Sequence, residues 1–182
     1  MKQESPPTHL DVKVFAQAAS AIAGHELLIN YERLMHETQA LGGNLLLNWA
    51  ASGELRTDEA GSEQVWLHLS VDVSLPLTCQ RCLGPVDIAV SLKQSFRFVS
   101  SEADAEAQDE ESEEDVLALN PDFNLSDLIE DEVLMALPVV PRHDECPVEL
   151  KLEVEDADFE TASAEKRNPF AVLVKLQGNK SS

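Results

Sequence analysis

Four side chains in this sequence have types and spacing that could do chemistry: Cys79, Cys82, His143 and Cys146. Cys79-Gln-Arg-Cys82 puts two thiols on one tight turn, and Gly84 after them would let the backbone fold around an ion as in a zinc knuckle. Farther along, His143-Asp-Glu-Cys146 offers an imidazole and a third thiol at similar spacing. Three thiolates and one imidazole complete a tetrahedral set for structural zinc, with no position left open for substrate. Such a site would brace the fold and not catalyse. Sixty residues lie between Cys82 and His143, so the reading requires a fold that brings the two halves together. In the plainer alternative, Cys146 packs as a small hydrophobe and the CxxC pair stays reduced and unmetallated. A redox role would need a helix N-terminus to lower a thiol pKa, whereas Leu83-Gly84-Pro85 opens a strand.

The elements around these residues are legible from periodicity. Val65, Leu67, Leu69, Val71, Val73, Leu75 and Leu77 alternate with mostly polar partners, and Val86, Ile88, Val90, Leu92, Phe96 and Phe98 repeat the pattern. Period-two alternation predicts an antiparallel sheet with one buried face. The two runs meet at TCQRCLGP, so Cys79 and Cys82 should sit at the tip of a long hairpin. Before it, Asp11 to Ala23 has Val14, Phe15, Ala18, Ala19 and Ile22 on helical spacing, closed by Gly24. Leu27-Leu28-Ile29 and residues 43–49 read as short strands. After it, Leu125, Leu128, Ile129, Val133 and Leu137 suit an amphipathic helix, capped near Asn124 or Ser126 and stopped by Pro138. The fold expected is α+β: a β-rich single domain over 1–182 with a long antiparallel hairpin and flanking helices.

Charge restricts function further. The chain has 182 residues, with 13 Lys plus Arg against 34 Asp plus Glu, a formal net charge of −21. Nucleic acid is itself a polyanion, so a generic nucleic-acid coat protein is disfavoured. The same charge would attract basic proteins and speed their encounter. Residues 102–115 hold nine of the acids and no base. With no aromatic or large aliphatic residue among them, the expectation is an acidic flexible segment. Within it, Asp109, Glu110, Glu111, Glu113, Glu114 and Asp115 are the candidates for binding a basic partner. A second stretch, Glu149 to Glu165, has seven acids against Lys151 alone, so residues 155–182 read as a linker and C-terminal tail. In that tail Asn168 can cap a short helix with Pro169 at its first position. Phe170 would then lead an apolar surface that docks on its own domain or in a partner groove.

Other signatures are thin. Hydrophobic residues make up 43%, which rules out wholesale disorder. No run of 18 apolar residues and no basic-then-apolar leader occurs, so the expectation is a cytoplasmic protein with no membrane partner. There is no Gly-rich phosphate loop, no GxSxG and no HExxH, and His68 occupies a polar, solvent-facing position in its strand. Neither an enzyme activity nor a small-molecule substrate is indicated.

LPLTCQRCLGPVDIAV, LIEDEVLMALPVVPRHDEC and KRNPFAVLVKL, in this order, resemble the YceD family of large ribosomal RNA subunit accumulation proteins. The resemblance runs from roughly the first helix to Leu176. It implies a role in the synthesis, processing or stability of large-subunit ribosomal RNA, hence in ribosome biogenesis, and no established enzyme activity. Its motifs map onto Cys79, Arg81, Cys82, the segment ending at Pro141, His143, Cys146 and Asn168-Pro169-Phe170. Taken with the charge, the expected partner is a basic large-subunit ribosomal protein or a pre-ribosomal particle. The rival expectation is a zinc-braced module that binds ribosomal RNA directly, with Arg81, Arg97 and Arg142 as the contact candidates.

Overall fold

The long hairpin is the centre of the molecule. In a computed structural model that describes residues 6–58, 61–110 and 112–148, strand β3 (Glu63–Thr78) pairs antiparallel with β4 (Pro85–Val99), from Val65 opposite Phe98 to Thr78 opposite Pro85. All seven apolar residues of the first alternating run are buried, as are Val86, Val90, Phe96 and Phe98. Period two therefore fixes the face that carries the core.

Two antiparallel strands extend the sheet beyond β3: β2 (Leu46–Thr57), then β1 (Ala21–Leu27). On the other side β5 (Asp115–Ala118) lies parallel to β4. The order is β1-β2-β3-β4-β5, a mixed sheet with four helices, so the fold is α+β and β-rich. Met1–Cys146 is one compact unit holding every described element, and Pro147–Ser182 is a second. The expected linker at 155–182, its short helix and Phe170 lie outside the described residues.

The acidic segment departs from expectation. Residues 102–109 form helix α3 (Glu102–Asp109), and Asp115 opens β5. Composition misled because it weighed only large apolar groups. Three alanines favour helix, Ser101 caps it by accepting the Asp104 N–H, and Glu102 and Asp104 suit its positive end. Ala105 and Val116 are buried where α3 meets β5. Arg97 leaves the sheet on the face opposite the core and donates to Gln108 Oε1 (2.7 Å) and Ser112 Oγ (2.8 Å). The helix is thus the crossover that a parallel strand requires.

The N-terminal helix is shorter than its periodicity suggests. Helix α1 spans Val12–Gln17 and buries Val12, Phe15 and Ala16, whereas Val14 points outward. Ala19 takes a left-handed φ of 46°, which ends the helical run and releases Ala21–Gly24 into β1. The 27–29 strand is likewise displaced: Leu27 ends β1, and Leu28–Asn30 form a 3-10 turn. Residues 43–45 precede β2. Helix α1 crosses β2 at Gly53, where any Cβ would come within 2.7 Å of Ala16 Cα and Phe15 Cδ1.

Helix α4 (Leu125–Ala136) places the second half of the candidate site. Of the two offered caps, Asn124 is used: its Oδ1 accepts from the N–H groups of Ser126 and Asp127. Leu125, Ile129 and Val133 face the core with no exposed surface. Helix α2 (Glu32–Glu37), absent from the sequence reading, has no side-chain cap of its own. Glu130 of α4 supplies it, taking the Arg33 N–H at 2.7 Å and the Leu34 N–H at 3.1 Å on one oxygen and Arg33 Nε at 2.9 Å on the other. Asp131 adds a further bond to Arg33. An amphipathic pattern cannot reveal a helix start that is capped 97 residues away.

Candidate metal centre

The hairpin tip is six residues, Cys79 to Gly84, between the last residue of β3 and the first of β4. Cys79 N–H donates to Gly84 O (2.8 Å) and Leu83 N–H to Cys79 O (2.9 Å), closing the turn on itself. The residue that takes the left-handed conformation is Leu83, at φ 59°, and not Gly84 as the knuckle analogy expects. A Cβ on Gly84 would make only ordinary contact, 3.6 Å, with Cys82 Sγ. Left-handed backbone costs a leucine roughly 1 kcal/mol, and its side chain stays 76% exposed.

After α4, the segment through Pro141 turns back to this tip: Gln80 N–H donates to Pro141 O at 2.8 Å. His143 and Cys146 follow, and the ligand atoms of Cys79, Cys82, His143 and Cys146 all come within 4.8 Å of one another. Cys79 Sγ lies 3.9 Å from Cys146 Sγ, and Cys82 Sγ 3.5 Å from His143 Nδ1. A tetrahedral ion with bonds of about 2.3 Å to sulfur and 2.0–2.1 Å to nitrogen has edges of about 3.8 and 3.6 Å. The sequence-predicted set is therefore brought together, with two of its separations at tetrahedral edge lengths and all within 4.8 Å, and the cluster could hold a metal.

Its electrostatics ask for a cation. Burial opposes ionisation of Cys79, but hydrogen bonding from the backbone of Cys82, His143 and Arg81 outweighs it and brings the thiol down to about 5. At Cys82 the Gly84 backbone favours the thiolate, yet burial and the neighbouring sulfurs of Cys146 and Cys79 win and push it up. Sulfurs this close cannot all ionise unless positive charge sits among them. Cys79 is fully buried and the other three residues are half-buried, an enclosed arrangement suited to structure more than to turnover.

The other predicted residues are dispersed. Arg81 belongs to the cluster itself: its Nε donates to Cys146 Sγ, and one terminal nitrogen reaches the carbonyls of His143 and Asp144, each at 3.1 Å. Arg142 is exposed beside it. Arg97 lies twelve residues along β4 from Pro85, about 40 Å at strand rise, so it does not share a patch with Arg81. Asp109, Glu110, Glu113, Glu114 and Asp115 are exposed at the far end of α3 and the start of β5, and Asp109 also accepts the Val116 N–H. Glu111, like Phe170, is outside the described residues.

One further polar chain crosses the opposite sheet face. His68 Nδ1 is 2.8 Å from Ser95 Oγ, and its Nε2 is 2.9 Å from Glu54 Oε2. Arg56, first, and His68, second, hold the Glu54 carboxyl below its usual value. Ser, His and Glu in a row suggest acyl transfer, but that chemistry needs free N–H donors for an oxyanion. His68 sits on a central strand paired on both sides. The chain of bonds ties three strands together, as cross-strand pairs do.

Comparison with known proteins identifies the family. The sequence model of the family described as "Large ribosomal RNA subunit accumulation protein YceD" matches residues 67–177, a span that includes the hairpin tip and the His143–Cys146 limb. A protein of that name from Haemophilus influenzae is 31% identical over 109 residues, covering 59% of this chain and 62% of its own length. No solved structure matches. Because the family match takes in more than half of the sequence, including all four cluster residues, the chain belongs to the YceD family.

Proposed function

We propose that this chain supports accumulation of large-subunit ribosomal RNA as a non-enzymatic assembly factor in the cytoplasm. It does so by holding or delivering a basic ribosomal protein, or by docking on a pre-ribosomal particle through protein contacts. The observation that carries the reading is the set of exposed acids Glu106, Asp109, Glu110, Glu113, Glu114 and Asp115, on the end of α3, the described part of the connection after it and the start of β5, in a chain of net charge −21. A fixed acidic ridge attracts a basic partner at long range and loses that attraction as salt rises. Zinc held by Cys79, Cys82, His143 and Cys146 has a structural task here, fixing the limb after α4 on the hairpin tip. The thiol-rich donor set and the tetrahedral edge lengths favour zinc over harder cations.

The test is mild affinity purification of tagged protein from growing cells at low and high salt. It should be run beside a variant with the acids of 106–115 changed to Asn and Gln. Recovery of large-subunit precursors with a basic protein that is lost at high salt, and lost in the variant, is the expected outcome. Equal recovery by the neutralised variant at low salt would end the acidic-surface mechanism. Ribosomal RNA retained without a protein bridge would favour direct RNA binding. That rival now has fewer free cations behind it, since Arg81 and Arg97 are both engaged within the fold.

A further inference from the structure

Arg81 sits in the turn between two candidate ligands, and its backbone serves Cys79 while its side chain reaches elsewhere. Two nitrogens of its fork are directed at the other limb. Nε points at Cys146 Sγ (3.1 Å), while Nη2 spans two consecutive carbonyls, His143 O and Asp144 O (both 3.1 Å). At 3.1 Å the sulfur contact lies well inside hydrogen-bonding distance for N–H···S. One side chain therefore holds a ligand sulfur and the backbone on which the imidazole ligand is hung. Besides it, the hydrogen bond from Gln80 N–H to Pro141 O ties the same limb to the tip.

Charge gives this geometry a second meaning. Zinc with three thiolates and a neutral imidazole carries a net charge of −1, which a half-buried site must offset. A guanidinium on the Cys146 sulfur makes the assembly neutral. Lysine could supply the charge but not the same geometry, because its donors radiate from one nitrogen, whereas the guanidinium reaches the sulfur and the two carbonyls from two nitrogens held in one plane.

We infer that Arg81 is the positioning residue of the metal centre, holding the His143–Cys146 limb against the CxxC turn and neutralising the loaded site. The inference rests on the zinc reading above. It separates the two functions that a fork combines, charge and reach, and so predicts an order among variants. It also removes Arg81 from the residues available to RNA.

The experiment compares the full-length wild type with Arg81→Met and Arg81→Lys. Zinc affinity is read by competition with a chromophoric chelator. The environment of the sulfurs is read from the absorption of the cobalt-substituted protein, and exposure of Cys146 from its alkylation rate by iodoacetamide in zinc-loaded protein. Loss of a partner that orients metal ligands typically lowers affinity 10- to 100-fold. That range is expected for Arg81→Met, with Arg81→Lys between it and wild type. Both variants should shift the sulfur-to-cobalt band and speed alkylation of Cys146. A purely scaffolding arginine would leave that band and rate unchanged. If Arg81→Met does not fold, Arg81→Lys still decides: wild-type affinity, spectrum and alkylation rate in it overturn the inference. If wild-type protein itself takes up no zinc, the zinc reading falls, and the inference falls with it, for a reason distinct from unchanged variants.

Discussion

The body and the tip of the β3–β4 hairpin are held together in different ways. The body is a ladder of fourteen paired positions whose inner face is packed with Val, Leu and Phe, so its stability is spread over many contacts. The tip has Leu83 in the solvent and relies on the closed turn, four ligand atoms and one arginine fork. A distributed structure loses stability in increments. A concentrated one is either assembled or not.

The largest effect should come from the body. Phe96 is 1% exposed between strand and core, and Phe96→Ala should cost about 3–5 kcal/mol, read by urea unfolding. Metal stoichiometry of the fraction still folded should be unchanged. If that fraction loses its metal, body and tip are one cooperative unit and the contrast fails. Chelation of metal, or Cys82→Ser, should do the reverse. Amide exchange at Cys79–Gly84 and Arg142–Cys146 should speed by orders of magnitude, with little change at Leu67–Val73.

A third substitution probes the link between these regions. Glu130→Ala removes the acceptor of the Arg33 and Leu34 N–H groups and leaves a guanidinium half unpaired. It should cost about 2–3 kcal/mol, against about 1 for Glu130→Gln, which keeps acceptors for the helix. Denaturant midpoints would show the ordering. The smallest effect is expected at Glu132, 5% exposed on the same helix. Burial first, then the charges of Asp115 and Asp131, raise its carboxyl above the ordinary 4.5. The folded state therefore binds this proton more tightly than the unfolded one. Its stabilising contribution is complete below the unfolded value and is lost as pH rises through the folded value. Glu132→Gln should accordingly match wild type near pH 4 and melt higher than wild type at pH 8. A gain of equal size at both pH values would show that packing, not charge, is responsible.

How much of this was legible in the sequence follows the same division. The body was readable because alternation is local: each residue from Val65 to Leu77 declares its own face. The four cluster residues were readable as chemistry, but their meeting was not, because it depends on α4 being capped at Asn124 and carried back over the sheet. What escaped notice was held by distant or small partners. Helix α2 is capped by Glu130, α3 rests on alanines and Ser101, and the short β5 is parallel because α3 exists. Arg81 read as a free cation because nothing in a sequence shows that a thiol and two carbonyls will come to rest against it.

Cys82 and His143 are 61 positions apart, yet their ligand atoms lie 3.5 Å apart. An ion joining them would turn the chain between them into a ring containing β4, α3, β5 and α4. Such a cross-link removes conformations from the unfolded chain as a disulfide does. The chain-entropy relation assigns a ring of about 60 residues roughly 4 kcal/mol at 25 °C. On that account the metal would act less on the tip than on the disordered alternatives of a third of the protein, and the free cysteines would still obtain a covalent-like staple.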